Sequence, residues 1–327
     1  MLGYVLRRLA QMVIVLLGIS VLVFGLLHLV PGDPAAILLG QQATAQDIAR
    51  LRHVMGLDRP LWYQFARYLG RAARGDLGTS IFLGGQPVTT LIATHLPATA
   101  ELALTAMTLA VVIGVPVGVI CAVRQYSLVD IASMAVTQIG VSMPVFWLGM
   151  LLILLFSLDL RWLPTFGRGA PLPLAFLALF RGNGAPLLDT VRHLAMPATT
   201  LGLSAVVLIT RMVRSAMLEV LGQDYVRTAR SKGLPARVVT YRHALRNAVL
   251  PVLTIVGLQV GTLLGGAVVT ETIFGWPGLG QLLINAIGQR DFPIVQGTAL
   301  VIALVFSVIN LGVDIAYAWL DPRIRYG

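Results

Sequence analysis

Charged residues are scarce in this chain of 327 residues. Asp, Glu, Lys and Arg together make up 12% of the sequence, about half of the share of roughly 25% that is usual in soluble domains. Hydrophobic residues make up 57%, and the mean hydropathy is +0.84. A water-soluble protein of this length needs more charge to cover its surface, so the composition excludes that class and predicts a polytopic membrane protein.

Cysteine and lysine each occur once. The lone Cys121 excludes an intrachain disulfide and a cysteine-built metal site, and its apolar setting predicts a small buried residue. The sole lysine, Lys232, lies between Ser231 and Gly233, so no P-loop of the form G-x-x-x-x-G-K-[ST] exists. The five histidines are scattered, without H-E-x-x-H, and G-x-S-x-G is absent too. We therefore predict no enzyme activity, no metal and no cofactor in this chain.

Six apolar stretches are each long enough to cross a bilayer, which needs about 20 residues. They cover residues 9–30, 96–123, 131–158, 194–209, 249–273 and 294–320. This pattern predicts an all-α, multi-pass protein with one transmembrane domain over residues 1–327. An even number of spans places both termini on the same side of the membrane.

The orientation follows from the segment 211–246. It carries eight basic residues and only two acidic ones, and basic segments of this kind stay in the cytoplasm. Both termini are then predicted to be cytoplasmic, with 211–247 as a cytoplasmic loop and 31–95 as a long extracytoplasmic loop. The net charge of +10 is thus explained by topology, and no nucleic-acid partner is expected.

The extracytoplasmic loop itself shows two helical patterns. Thr44 to Asp47 has the features of a helix start, and Ile48, Leu51 and Met55 follow on one stripe. A second stripe contains Trp62, Phe65 and Leu69. We expect two short helices that lie on the outer face of the membrane.

Small residues and proline are placed inside the spans. Gly257, Gly261 and Gly265 lie at i, i+4 and i+8, a spacing that lets helix backbones approach closely, either within this chain or at a partner or pathway. Helix 2 has a similar pair, Gly114 and Gly118. Pro144 and Pro116 remove backbone hydrogen bonds and predict kinks in the third and second spans.

Three carboxylates fall within the spans: Glu101, Glu271 and Asp314. Such groups cost about 2.5–3.5 kcal/mol at the bilayer centre and are functional candidates for that reason. Glu101 and Glu271 are predicted near the outer interface and Asp314 near the inner end. We expect all three to be capped or paired with arginine.

The cytoplasmic segment 215–232 predicts an amphipathic helix. Leu218, Leu221, Tyr225 and Ala229 form its apolar line, and Gly233 is placed as a left-handed C-cap. Such a helix fits either a lipid surface or a groove on another protein, and composition does not separate the two.

The sequence of this segment, DYVRTARSKG at 224–233, resembles the "EAA" motif in the loop of permease subunits in bacterial ABC importers. Arg227 replaces the usual glutamate and Leu250–Pro251 comes later than in the general pattern, as in the peptide/nickel branch. Further wordings of that branch occur in order: VPGDP (30–34), LDRPL (57–61), GDLGTS (75–80), LPAT (96–99), FGWPGLG (274–280), RD (290–291), VQG (295–297) and LDPRIRYG (320–327). The stretch 168–187 matches none of them and is interpreted as an outer-loop insertion.

The resemblance implies the B-type, first permease of a dipeptide, oligopeptide, glutathione or nickel importer, with the type I importer permease fold, in the bacterial inner membrane. It implies these partners: a paralogous second permease, two ATPase subunits that hold ATP and Mg, an extracytoplasmic solute-binding protein and membrane lipid. The 217–235 loop would couple to an ATPase through Leu221, Asp224, Tyr225, Arg227, Thr228, Ala229, Lys232, Gly233 and Leu234.

Two other classes remain as alternatives. A stand-alone, ion-coupled carrier or channel would use a midspan carboxylate such as Asp314. A membrane enzyme or assembly factor is the third. The sequence leaves the substrate and the pathway-lining residues open.

Overall fold

The computed structural model describes residues 2–29, 34–39 and 43–320. Over these residues the secondary structure is helical, with a single isolated bridge between Thr79 and Pro87. The family wordings around 31–33 and 321–327 lie outside the described residues. The helices are α1 (Leu2–Leu29), α2 (Pro34–Leu39), α3 (Ala45–Met55), α4 (Leu61–Ala72), α5 (Val88–Val123), α6 (Leu128–Ser142), α7 (Val145–Leu152), α8 (Leu172–Phe180), α9 (Ala185–Leu221), α10 (Asp224–Ser231), α11 (Ala236–Val238), α12 (Arg246–Ile273), α13 (Leu279–Gln289) and α14 (Phe292–Leu320).

Five of the described helices are long and apolar enough to cross a membrane: α1, α5, α9, α12 and α14. A sixth span is formed if α6 and the helix from Val145 to Asp159, which ends in π-helical turns, count as one broken element. The predicted number of six is therefore matched on this count. The prediction underestimated α5 and α9, because hydropathy marks the apolar part of a helix while the backbone continues through the polar turns that flank it.

The sixth span is bent by 106° between α6 and α7. Met143 and Pro144 are both extended there, with Pro144 at the N-cap of α7. The break predicted at Pro144 is confirmed, since proline lacks the N–H that would continue the helix and disfavours helical backbone before it. Helix α5, in contrast, is continuous through Pro116.

Contacts divide the chain into two compact units. The first contains residues up to Pro97 together with Gly278–Val308. Its core joins Val88, Leu91 and Ile92 of α5 to Leu279 of α13 and Ile294 of α14, among others. Both loop helices predicted before the second span are present as α3, capped by Thr44, and α4.

A buried carboxylate fixes the loop before α5 in this unit. Asp291 is wholly buried, and its Oδ2 accepts hydrogen bonds from Ser80 Oγ at 2.6 Å, from the Ile81 N–H at 2.9 Å and from the Phe82 N–H at 3.2 Å. The wordings at 75–80 and 290–291 thus meet in space, more than 200 positions apart in sequence.

The second unit contains Ala98–Pro277 and residues from Ile309 onward. Its core consists of side chains from α5, α9 and α12, with Trp276 wholly buried among them. The segment 168–187 is packed into this unit, since Thr190 Oγ1 donates to the Ala170 carbonyl at 2.7 Å. Cys121 is wholly buried, as predicted.

Candidate functional site

The segment between α9 and α12 differs from the prediction in a break of the helix and, as a result, in which residue of α10 is buried. The structure breaks the continuous helix predicted over 215–232 at Gly222, where α9 ends, and at Gln223, which is extended and precedes α10. The predicted apolar line is wrong at Tyr225, which is exposed, and Val226 is buried in its place. The break changes the rotational phase of the helix, so a stripe extrapolated from Leu218 through α10 falls on the wrong residue.

Helix α10 ends in a left-handed turn at Gly233. Its φ is +75°, and the turn is closed by hydrogen bonds from the Gly233 N–H to the Arg230 carbonyl at 2.9 Å and from the Leu234 N–H to the Ala229 carbonyl at 3.4 Å. The left-handed cap predicted at Gly233 is confirmed. A Cβ at this position would meet nothing within 4 Å, so glycine is required by the backbone conformation and not by lack of space.

One face of α10 packs against its own chain. Val226 and Ala229 are buried with Val239, which begins a π-helical stretch, Val239–Leu245, that leads into α12. At the start of α12, directly after this stretch, Asn247 Nδ2 donates to Tyr225 Oη at 2.7 Å. Helix α10 is thus attached both to the end of α9 and to the start of α12.

The other face of α10 and the turn after it are exposed and mainly basic. The exposed basic residues are Arg227, Arg230 and Lys232, the exposed acidic residue is Asp224, and a further exposed arginine, Arg237, follows in α11. Asp224 and Arg227 form an open ion pair at 3.6 Å. Such an exposed pair contributes little to stability, so these charges are available to a partner. Thr228 and Leu234 also lie on the exposed side, while Leu221 is half-buried at the end of α9.

A buried ion pair anchors the end of α9 that carries α10. Arg214 donates to Asp130 in a bidentate arrangement, Nε to Oδ1 at 2.7 Å and Nη2 to Oδ2 at 2.8 Å. Asp130 lies in the first turn of α6, its side chain is 3% exposed, and its Oδ2 also accepts from the Tyr126 N–H at 3.0 Å. The sequence analysis missed this pair, since the two residues are 84 positions apart and carry no motif of their own.

The glycine pattern in the spans separates into packed and open positions. A Cβ on Gly257 would collide with Val313 Cγ1, and Gly261 is buried, whereas a Cβ on Gly265 would meet nothing within 4 Å. Close packing is also found between α5 and α9, where it involves backbone as well as side-chain atoms. A Cβ on Gly118 would lie 2.6 Å from Val213 Cβ and 2.7 Å from the Thr210 carbonyl oxygen. The intrachain packing that was one of the two readings of this pattern is therefore present at Gly257 and Gly118.

Two of the carboxylates within the spans, Glu101 and Glu271, form interactions that show how each is accommodated. Glu101 forms an ion pair with Arg168, whose guanidinium lies over the Trp276 ring at 5.7 Å from its centroid. Pairing with arginine is confirmed for Glu101. Glu271 is wholly buried and accepts a hydrogen bond from Thr99 Oγ1 at 2.7 Å. For Asp314 the expectation of capping or pairing with arginine stays a prediction.

No three side chains of the His, Cys, Asp and Glu types lie close enough to hold a metal ion within the part of the chain that the structure describes. What the described residues do bring together is a set of long apolar helices and a small helix, α10, with one anchored and one exposed face. These features define a multi-pass, all-α membrane protein with a short helix between two of its long helices.

The chain belongs to the family described as binding-protein-dependent transport system inner membrane component, which matches residues 114–326. The N-terminal family of the same transport systems matches residues 1–103. The chain is therefore a multi-pass inner-membrane transport component.

Full-length relatives support this assignment. The chain is 45% identical over 334 residues to the dipeptide transport system permease protein DppB of Alkalihalophilus pseudofirmus, with all of both chains covered. It is 47% identical over 336 residues to the di/tripeptide transport system permease protein DppB of Pseudomonas aeruginosa, covering 100% of this chain and 99% of the relative. The glutathione transport system permease protein GsiC of Escherichia coli O6:H1 is 42% identical over 326 residues, with both chains fully covered.

The fold is shared with a solved ABC transporter. A chain of the inward-facing MetNI methionine ABC transporter superposes with a TM-score of 0.52 at 18% identity, covering 71% of this chain and 96% of that chain. The predicted importer-permease fold is confirmed.

Proposed function

We propose that this chain forms half of the translocation pathway of an ATP-driven importer for dipeptides, oligopeptides or related small solutes. The full-length relatives support this substrate class, since their names assign them to transport systems for dipeptides, di- and tripeptides or glutathione. A second, paralogous permease would supply the other half of the pathway, and a solute-binding protein would deliver the substrate on the extracytoplasmic side.

Helix α10 is proposed as the coupling element. Its buried residues Val226 and Ala229 join it to the chain, while its exposed face is held out by the turn at Gly233. An ATPase groove that receives this face would carry acidic residues, because three basic side chains and one acidic side chain are exposed on α10 and the turn after it. Displacement of α10 would move α9 and α12 together, since α10 contacts both the end of α9 and the stretch that leads into α12.

ATP and Mg are proposed to bind to the ATPase subunits. The observation that supports this is the lysine at position 232, the sole lysine of the chain, which lies in the turn after α10 outside any P-loop. On this account both chain termini and α10 are cytoplasmic. The orientation accords with the eight basic residues of 211–246.

Cysteine crosslinking tests the coupling contact directly. Because Cys121 is buried and is the sole cysteine, Cys121→Ser gives a background without reactive thiols. Thr228→Cys places a thiol on the exposed face of α10, and Ala229→Cys places one on its buried face as a matched control. We expect the first variant, and not the second, to crosslink to an ATPase subunit when the complete transporter is labelled with benzophenone maleimide, which bonds to the thiol, and is then illuminated so that the benzophenone inserts into a C–H bond of the neighbouring subunit.

An uptake assay with this chain alone, in vesicles without ATPase subunits, separates the proposed importer from an ion-coupled carrier. The importer account expects no uptake by this chain in vesicles without ATPase subunits. Uptake by the isolated chain, abolished by Asp314→Asn, would support the carrier instead.

A further inference from the structure

A large cavity in the first compact unit has no role in the coupling account. It has a volume of about 890 Å³ and lies between the last turns of α1, helix α4 and the loop 76–81. We propose that this cavity binds the headgroup of an anionic phospholipid. The proposal rests on three observations: the position of the cavity at the end of a membrane span, its charge, and the ion pair that engages the one carboxylate among the described lining residues.

The cavity lies at the level in the membrane where lipid headgroups are found. Phe24, Leu27 and His28 line the cavity, and these residues belong to the last two turns of the span Leu6–Leu29. The end of a span lies where hydrocarbon meets headgroups. On α4 Trp62 is 72% exposed and Tyr63 45% exposed, and aromatic residues of this kind are enriched at that boundary.

The cavity wall carries more positive than negative charge. Three arginines, Arg52, Arg67 and Arg71, line it together with one acidic residue, Asp76. The Arg71 guanidinium, with the Gly78 N–H, holds the pKa of Asp76 below its usual range, so the carboxylate is ionised. Arg71 and Asp76 neutralise each other through bonds of 2.8 and 3.1 Å.

The Arg71–Asp76 pair leaves Arg52 and Arg67 as the remaining charges of the described lining, and Arg67 is positioned to bind a ligand. None of the ion pairs between described residues involves it. Its Nη1 lies 3.0 Å from the position that a Cβ on Gly56 would take, so the guanidinium rests over a glycine in the cavity wall. A phosphate diester, which accepts paired N–H bonds from a guanidinium, is the group that this position fits best.

The single engaged carboxylate distinguishes between amphiphiles. A zwitterionic ligand, whether a peptide or phosphatidylethanolamine, brings an ammonium group that needs an acceptor. Among the described lining residues the one carboxylate is Asp76, which already accepts from Arg71 and from the Gly78 N–H at 2.9 Å. Phosphatidylglycerol and cardiolipin carry the phosphate without the ammonium, and the cavity therefore favours them.

Native mass spectrometry of the full chain, titrated with dioleoylphosphatidylglycerol or dioleoylphosphatidylethanolamine, tests the proposal. We expect the unaltered chain to bind the glycerol lipid more tightly. Arg67→Gln should weaken that binding about fivefold, the effect of about one basic residue near a lipid surface. Arg67→Lys should fall between Arg67→Gln and the unaltered chain, because the ammonium keeps the charge but not the paired N–H bonds. Arg74→Gln is the matched control, because Arg74 is exposed on the neighbouring turn and does not line the cavity.

Three outcomes would overturn the proposal. Equal binding of the two lipids by the unaltered chain would show ordinary annular lipid, and this readout needs no variant. Equal losses for Arg67→Gln and Arg74→Gln would show an effect of net charge alone. Displacement of the glycerol lipid by trialanine would identify a peptide site instead.

Discussion

Gly118 and Gly233 are both required as glycine, but for opposite reasons. At Gly118, in the seam between α5 and α9, a Cβ would lie 2.6 Å from Val213 Cβ. At Gly233, after α10, a Cβ would meet nothing within 4 Å, and the backbone has a φ of +75°. The seam lacks space for a side chain, whereas the turn needs a backbone conformation that other residues adopt only at a cost.

Under the proposed function, this difference separates positions that matter for folding from positions that matter for coupling. The seam is closed, so a substitution there acts on packing of the spans. The turn is open, so a substitution there leaves the core untouched and changes only the path of residues that a partner would contact. Between the two regions lies the Asp130–Arg214 ion pair, which holds the end of α9.

Gly118→Ala is expected to have the largest effect on stability. The added methyl group overlaps Val213 and the Thr210 carbonyl oxygen, so one helix must move, at a cost of about 3 kcal/mol, the upper end for overpacking. Unfolding of the purified chain by titration with sodium dodecyl sulfate measures this change.

Gly265→Ala is the control for the seam. It makes the same chemical change on a helix where a Cβ meets nothing within 4 Å. Alanine is a better helix former than glycine by about 1 kcal/mol, so this variant should be as stable as the unaltered chain or slightly more stable. If both variants lose stability equally, the assignment of the seam is wrong.

Asp130→Asn is expected to have an intermediate effect. It leaves the Arg214 guanidinium partly buried, with a neutral partner, which costs about 2 kcal/mol. A double-mutant cycle with Arg214→Gln isolates the pairwise part. The two changes should be clearly non-additive, and simple additivity would show that the pair does not hold α9.

Much of this architecture could be predicted from the sequence. The lengths of the apolar stretches predicted six spans. The backbone preferences of glycine and proline predicted the cap at Gly233 and the kink at Pro144, and the helical spacing of apolar residues predicted α3 and α4. Each of these features depends on residues that are neighbours in the chain. The physical causes are local: backbone conformation acts over a few residues at a turn, and the apolar length of a span is set by about 20 consecutive residues.

The features that were missed depend on residues far apart in the chain. Asp130 and Arg214 are 84 positions apart, and Ser80 and Asp291 are 211 apart. The buried side of α10 was assigned to Tyr225 instead of Val226, because a two-residue break at Gly222 and Gln223 changed the helical phase. A pattern that assumes a continuous helix cannot register such a break.

The central claim is that the conformation at Gly233 couples ATP hydrolysis to transport. Gly233→Val and Gly233→Asn make the most direct test, since asparagine tolerates a positive φ while β-branched valine does not. Both variants should insert and fold, with losses of stability of no more than about 2 kcal/mol. The measurement is substrate imported per ATP hydrolysed, in vesicles that contain the complete transporter and its binding protein.

The account predicts that this ratio falls at least tenfold for Gly233→Val, about 1.4 kcal/mol or more in the coupling step, and falls much less for Gly233→Asn. A Gly233→Val transporter that assembles with its ATPases and imports substrate at the unaltered ratio would contradict the account.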